Sequence, residues 1–155
     1  MDYYLTIKWL HILSSTILFG TGLGTAFFMW MAHLTSKPTI ISEITKVVVK
    51  ADWIFTATSG VVQPITGILL AREMGIDLTS KWLIWVYVLY TIAFACWVPV
   101  VWLQIRMRNL AAIAASTNSE LPLQYFKYAR TWFILGWPAF IALLAIFYLM
   151  IAKPV

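Results

Sequence analysis

Three observations predict an all-α integral membrane protein, built as a four-helix bundle that crosses the bilayer. Of the 155 residues, 62% are hydrophobic and only 11% are charged, whereas soluble domains carry about 25% charged residues. Four uncharged stretches follow one another along the chain, at residues 9–36, 53–71, 82–105 and 131–152. Each is close to or above the roughly 20 residues that a helix needs to cross a bilayer. In hydrocarbon such a stretch must satisfy its own backbone hydrogen bonds, which favours helices.

Flanking residues of high helix propensity extend these stretches, and we expect helices at about 5–34, 40–71, 81–115 and 121–151. Thr39 is a candidate cap for the second helix, since apolar residues recur at helical spacing after it. Pro122 suits the first turn of the fourth helix. Residues 1–155 are expected to form a single transmembrane domain. We predict no cleaved signal peptide, because the first apolar stretch is too long and no small-residue cleavage site follows it.

The basic residues predict the orientation and exclude several partners. Seven of the eleven Lys and Arg residues follow the first and third stretches, which places both termini outside the cytoplasm. The net charge of +5 is assigned to topology and to anionic lipid headgroups, not to nucleic acid. Cys96 is the only cysteine, which excludes an intramolecular disulfide and a thiolate metal cluster. The expected partners are the lipid bilayer and, as a possibility left open, a homo-oligomer or a larger membrane complex.

His11 is the first candidate for a functional residue. It begins a stripe of mostly small side chains at spacings of three and four, which places them on one face of the first helix: His11, Ser14 or Ser15, Leu18, Thr21 or Gly22, and Thr25. An ionisable ring at membrane depth faces protein and is a candidate for function. A neutral imidazole ligates haem iron or copper, or relays protons. The alternative is a histidine that only joins two helices by a hydrogen bond.

The second helix carries a polar stripe of its own. Its members recur at spacings of four and three, so they share the face that points into the bundle: Asp52, Thr56, Ser59, Gln63 and Thr66. Pro64 removes the helical partner of the Gly60 carbonyl. The stripe would contact a cofactor or a permeating species, or it would form hydrogen bonds between helices. Asp52 is expected to pair with one of three nearby cations, Lys50, Arg106 or Arg108.

His33 lies 22 residues after His11, which is about 33 Å along one helix. The two rings therefore cannot bind one haem within one chain. The second axial ligand of a haem at His11 would be Met150, Met74, Lys153, a tyrosine or a residue of another subunit. Three methionines near His33 make copper the alternative metal, because thioether and imidazole groups suit Cu(I): Met29, Met31 and Met107. A contact with lipid headgroups is the other reading of His33.

The ends of the chain resemble a known family. The Lys8-x-Leu10-His11 segment, the glycines Gly20 and Gly22, and His33 resemble the start of the HemJ-type protoporphyrinogen oxidases, which are small four-helix membrane proteins. The C-terminal sequence at 152–155 resembles their Lys-Pro ending. More closely, the chain resembles an uncharacterised bacterial membrane family, domain of unknown function 2269, a neighbour of the HemJ and copper-resistance D groups. The HemJ resemblance implies haem b bound through His11.

The leading hypothesis is therefore a haem-associated redox or porphyrin-handling membrane protein, with His11 as the iron ligand. If it is an enzyme, it is a membrane oxidoreductase. The candidate cofactor-binding residues are His11, Gln63 and Met150, and the further candidates are His33, Asp52, Ser59 and Thr66. Two alternatives stay open: a non-enzymatic scaffold or accessory subunit, and a metal or small-solute carrier that acts as an oligomer.

Overall fold

The computed structural model describes residues 2–153, and four long helices contain most of them. The helices are α1 (Tyr3–Leu34), α2 (Pro38–Glu73), α3 (Lys81–Ser116) and α4 (Leu123–Ala152). Within α2, residues Asp52–Thr56 form a π-helical turn between two α-helical segments, Pro38–Ala51 and Ala57–Glu73. Each helix is long and apolar enough to cross a membrane. The predicted all-α, four-helix membrane bundle is confirmed.

The helix ends fall within two residues of the predicted positions, and two of them differ for a local reason. Helix α2 begins at Pro38, so Thr39 lies inside the helix and does not cap it. Proline suits the first helical position because its missing N–H would have no partner there. Helix α4 begins at Leu123, because Pro122 has an extended backbone with ψ 153°. The prediction that Pro122 lies in the first turn of α4 is therefore wrong.

Left-handed residues reverse the chain after the spanning helices. Gly75 follows α2 with a φ of +64°, and the next N–H, that of Ile76, donates to the carbonyl of Ala71 at 2.8 Å. This is the Schellman arrangement, in which the backbone itself satisfies the last carbonyls of a helix. Asn118 takes the same left-handed conformation after α3, with a φ of 50°. Both connections are consequently short, and neighbouring helices run antiparallel.

The bundle is packed most tightly at the end that carries most Lys and Arg residues. Helix α3 packs along α4, α1 packs along α2, and the first half of α2 packs against α3. Their contacts at this end form one apolar cluster, which includes Met29, Ile41, Val48, Leu103, Met107, Ala111, Tyr125 and Trp132. A second, smaller cluster of Ala71, Leu83 and Val86 lies at the opposite end. The middle of the bundle has no such cluster among the described residues.

Large apolar side chains also cover the outside of the helices. Examples are Phe28, Val61, Trp85 and Ile141, each more than half exposed. A soluble protein rarely exposes contiguous apolar surface on this scale. Such an exterior suits hydrocarbon, which confirms that the chain lies in a lipid bilayer.

We expect the Gly75→Ala variant to be less stable than the wild type. A Cβ at positive φ costs about 1–2 kcal/mol, and the helix end has no other residue to take the left-handed position. Thermal melting in detergent, followed by circular dichroism, should show a lower midpoint.

The matched control is Gly20→Ala, because Gly20 lies inside α1 and a Cβ there meets no atom within 4 Å. This change should leave the midpoint equal or higher, since alanine is the better helix former. Equal midpoints for Gly75→Ala and Gly20→Ala would contradict the assignment of the turn.

Candidate functional site

The two polar stripes predicted from the sequence face each other across the α1–α2 contact. Three pairs of side chains meet there: His11 Nδ1 and Thr66 Oγ1 at 2.8 Å, Ser14 Oγ and Gln63 Oε1 at 2.6 Å, and Thr25 Oγ1 and Asp52 Oδ1 at 3.2 Å. Each step along α1 is matched by an equal step back along α2, as antiparallel packing requires. We call these three pairs the polar seam. The seam confirms that both stripes point into the bundle.

Thr66 links the His11 ring to the backbone of α2. Its Oγ1 lies 2.8 Å from His11 Nδ1 and 2.8 Å from the carbonyl of Val62. When the hydroxyl donates to this carbonyl, its oxygen accepts from His11, and the proton of the neutral ring is on Nδ1. The other nitrogen, Nε2, forms no hydrogen bond among the described residues and keeps its lone pair. The Cε1 atom of the ring, between the two nitrogens, packs against Gly67, where an added Cβ would lie 3.2 Å from it.

Asp52 is buried, and no cation of the described chain pairs with it. Its side chain is only 3% exposed, and its Oδ1 accepts from Thr25 at 3.2 Å and from Thr56 at 3.0 Å. The expected pairing with Lys50, Arg106 or Arg108 is therefore wrong. Helix α2 turns Asp52 inward, towards the seam, while Lys50 is exposed. The only ion pair within residues 2–153 is Lys46 with Glu43.

The other two cations have partners of their own at the bundle surface. The Arg106 guanidinium lies over the Trp102 ring, 5.2 Å from its centroid. Arg108 donates to the side-chain oxygen of Asn109 at 3.0 Å. Asp52 therefore depends on hydroxyl groups and on the neighbouring Gln104 amide, all of which are uncharged.

Two irregularities in the backbone of α2 determine where its polar groups form contacts. The π-helical turn starts at Asp52 and closes with a bond from the Ala57 N–H to the Asp52 carbonyl. Wide turns of this kind are often found at functional sites. About two turns further on, Pro64 frees the Gly60 carbonyl as predicted, and the Tyr90 hydroxyl of α3 donates to it. Proline thus creates the polar contact that joins this half of α2 to α3.

A cavity of about 640 Å³ lies between the helices, touches all four and opens to the outside of the bundle, where Val61, Phe94 and Trp137 of its lining are more than half exposed. Its walls are largely apolar and aromatic. The polar side chains of Asp52, Thr25, Thr56 and Gln104 reach it. His11, Gln63 and Thr66 do not line it. The structure therefore contains two separate candidate sites, the His11 end of the seam and the cavity beside Asp52.

The remaining candidates lie elsewhere. Ser59 is buried on the inner face of α2. Met150 is partly buried against the small apolar cluster of Ala71, Leu83 and Val86. His33 contacts α4 instead of solvent, with its Nδ1 3.1 Å from the Tyr125 hydroxyl.

The three methionines that suggested a copper site do not all lie together. Met29 and Met107 belong to the tight cluster, while Met31 is 46% exposed on the outside of α1. No group of three or more His, Cys, Asp or Glu residues is gathered for a metal ion within residues 2–153.

Sequence reasoning missed three residues of the cavity: Gln104, Trp97 and Tyr90. Gln104 was detectable in principle, because it is the only amide side chain in the third uncharged stretch. Tryptophans and tyrosines give no such signal, since nine and seven of them are spread along the chain. Their depth and direction depend on helix packing, which residue spacing in one helix does not define.

The fold and the inward polar groups together define a polytopic α-helical membrane protein with a buried polar seam. The chain belongs to the family described as predicted integral membrane protein (DUF2269), whose model matches residues 5–154. No curated protein matches the chain, and no solved structure matches it either.

We expect the Ser14–Gln63 pair to stabilise the α1–α2 contact. In membranes such interhelical hydrogen bonds contribute about 0.6 kcal/mol and at most about 1.7 kcal/mol. A double-mutant cycle with Ser14→Ala and Gln63→Leu, measured by unfolding in mixed micelles, should give a coupling energy in this range.

The control pairs Ser14→Ala with Thr131→Ala, whose hydroxyl bonds only to its own helix at Lys127. That second cycle should give no coupling. A coupling energy of zero between Ser14 and Gln63 would contradict the seam.

Proposed function

We propose that this protein is a haem-associated membrane protein with redox or porphyrin-handling activity, and that His11 is the iron ligand. The carrying observation is the state of its ring. With the Thr66 hydroxyl donating to the Val62 carbonyl, Nδ1 carries the ring proton and Nε2 has a free lone pair at membrane depth. A metal-bound histidine is usually oriented in this way, through a hydrogen bond from its other nitrogen.

The residues around His11 fit this role. Thr66 is buried, so its hydroxyl holds the ring in one orientation. Gly67 leaves room for the ring against bare backbone, because a Cβ would lie 3.2 Å from Cε1. A bound haem would supply one-electron chemistry. The chain would supply one neutral nitrogen, an apolar surrounding and the exclusion of water.

The resemblance to the HemJ-type enzymes supports haem binding more than porphyrinogen oxidation. That family carries a Pro-Arg pair before its second histidine, where this chain has Phe-Phe-Met-Trp-Met at residues 27–31. An arginine at this place would hold a porphyrin carboxylate. We therefore propose haem b as the bound cofactor. We propose no specific redox reaction for it.

The test is an absorption spectrum of protein purified in detergent from haem-supplemented cells. We expect a Soret band that shifts and sharpens on reduction with dithionite. It should be lost in His11→Ala, which removes the ligand. Thr66→Val frees the ring and should broaden or shift the band, whereas Thr66→Ser should retain it. The matched control His33→Ala should keep the wild-type spectrum.

A second candidate function is that of a colourless scaffold or accessory subunit. It is favoured by the polar seam, because His11, Ser14, Gln63 and Thr66 all meet within the α1–α2 contact. A folded, metal-free protein whose spectrum is featureless would reject the haem proposal and support this role. His11→Ala would then lower the melting temperature without any optical change.

We also propose that the protein lies in a bacterial inner membrane with both termini outside the cytoplasm. The support is the excess of Lys and Arg in the connections after α1 and α3, since such loops stay in the cytoplasm. The tight cluster at this end of the bundle would then lie on the cytoplasmic side.

Single-cysteine labelling tests this orientation in a Cys96→Ser background. A membrane-impermeant maleimide should label Thr79→Cys, in the exposed connection after α2, in intact spheroplasts. It should label Ser119→Cys, in the exposed connection after α3, only after permeabilisation. The reverse pattern would overturn the proposed orientation.

A further inference from the structure

The central cavity has the features of a ligand site, and its polar groups define the kind of ligand. It measures about 640 Å³ and is bounded by all four helices. Ligand pockets in proteins commonly measure 300–1,000 Å³ and combine apolar walls with a few convergent polar groups. In this cavity four polar side chains, those of Asp52, Thr25, Thr56 and Gln104, lie among a largely apolar and aromatic wall.

Two of the polar groups lack partners. Gln104 is 2% exposed and lines the cavity, and its Oε1 is buried without a hydrogen bond. The indole Nε1 of Trp97, in the same wall, is likewise buried and unpaired. A buried polar atom without a partner destabilises a protein by about 1–3 kcal/mol. Each atom therefore favours a polar partner: Gln104 Oε1 would accept a hydrogen bond, and Trp97 Nε1 would donate one.

Charge selects the ligand further. The Asp52 carboxyl lines the cavity beside the Gln104 amide and has no cationic partner within residues 2–153. A lone carboxylate in a low-dielectric space is strongly disfavoured, so a buried Asp52 is either protonated or compensated by a cation. These two groups, a carboxyl and the free Oε1 of Gln104, mainly accept hydrogen bonds. They suit a positively charged donor.

The walls suit the same ligand. Five of the nine tryptophans line the cavity, namely Trp30, Trp53, Trp97, Trp132 and Trp137. Aromatic faces attract cations, most strongly where water is excluded. They also pack against flat apolar bodies.

We infer that the cavity binds a lipophilic amine, with its ammonium group against Asp52 and Gln104 and its apolar body among the tryptophans. Asp52 neutralises the charge, and Gln104 Oε1 accepts one ammonium proton. The inference is independent of the haem proposal, because His11 does not line the cavity.

The probe for this site is monodansylcadaverine, which joins a primary ammonium to an apolar dansyl ring. Tryptophan emission overlaps dansyl absorption, so bound probe should give saturable sensitised emission when the purified protein is excited at the tryptophans. Its N-acetyl derivative has the same body without the charge. We expect it to bind about tenfold or more weakly, as loss of a buried charge pair implies.

Two variants locate the site. Asp52→Asn should lower the affinity for monodansylcadaverine to that for its N-acetyl derivative. It should leave the affinity for the derivative unchanged. The matched control is Asp77→Asn. Asp77 lies in the exposed connection after α2, and the Thr79 hydrogen bonds lower its pKa, so it is a carboxylate at pH 7. This control removes an equal charge outside the cavity and should change nothing.

Filling the cavity provides a second test, which does not depend on the folding of Asp52→Asn. Gly136 lines the cavity, and a Cβ there meets no atom within 4 Å. Gly136→Leu should therefore fit and should abolish binding of the amine. Gly20→Leu places the same side chain in open space outside the cavity and should retain it.

Three outcomes would overturn the inference. Equal affinity for the amine and its N-acetyl derivative would show that charge has no role and that the cavity takes neutral apolar molecules, such as lipid chains. Unchanged amine binding in a folded Asp52→Asn protein, or in Gly136→Leu, would place the amine elsewhere. Loss of the haem spectrum in His11→Ala would not bear on any of these results.

Discussion

The arrangement of this protein depends on the need to satisfy polar groups where water is absent. In hydrocarbon an unpaired side-chain donor or acceptor finds no solvent. Helices α1 and α2 meet this requirement mutually, through the three pairs of the polar seam. These pairs fix the rotation of both helices and their register. The positions of the other inward groups of α1 and α2, such as Ser59 and Thr56, follow from that register.

Packing is distributed unevenly along the bundle. The tightly packed end stabilises the helix arrangement, and the loosely packed middle contains the cavity. The tight cluster joins parts of all four helices at the end rich in Lys and Arg. Towards the opposite end, α2 meets α3 through the bond from Tyr90 to the Gly60 carbonyl, with the cavity between the clusters. One end of the molecule holds the helices together. The middle is therefore free to carry groups whose pairing is incomplete.

The helices, their inward faces and one free backbone carbonyl could be predicted from the sequence. Uncharged length predicts the spans, residue spacing predicts the stripes, and Pro64 predicts the free Gly60 carbonyl. The partners across helices could not be predicted, because spacing in one helix says nothing about the register of the next. For this reason Asp52 was expected to pair with a nearby cation. In the structure it turns inward to Thr25, which lies 27 residues away.

The cavity was also beyond the sequence, since it is a property of four helices at once. Gln104 and Trp97 become neighbours of Asp52 only when α3 packs against α2. The residue type alone made His11 a candidate metal ligand or proton relay. It could not identify which ring nitrogen is free, because that depends on a hydroxyl 55 positions away.

The π-helical turn of Asp52–Thr56 makes the residue count of α2 part of its geometry. Eleven residues separate Asp52 from Gln63, as eleven separate Ser14 from Thr25 in α1. Each residue of an α-helix turns its neighbours by about 100°. Removing one residue elsewhere in α2 would therefore swing the apolar face at Ile41 and Val48 out of the tight cluster or pull Asp52 out of the seam. A deletion within the wide turn would instead be absorbed, because the turn would close as an α-helical one. Changes of length are thus confined to this turn and to the connections between helices.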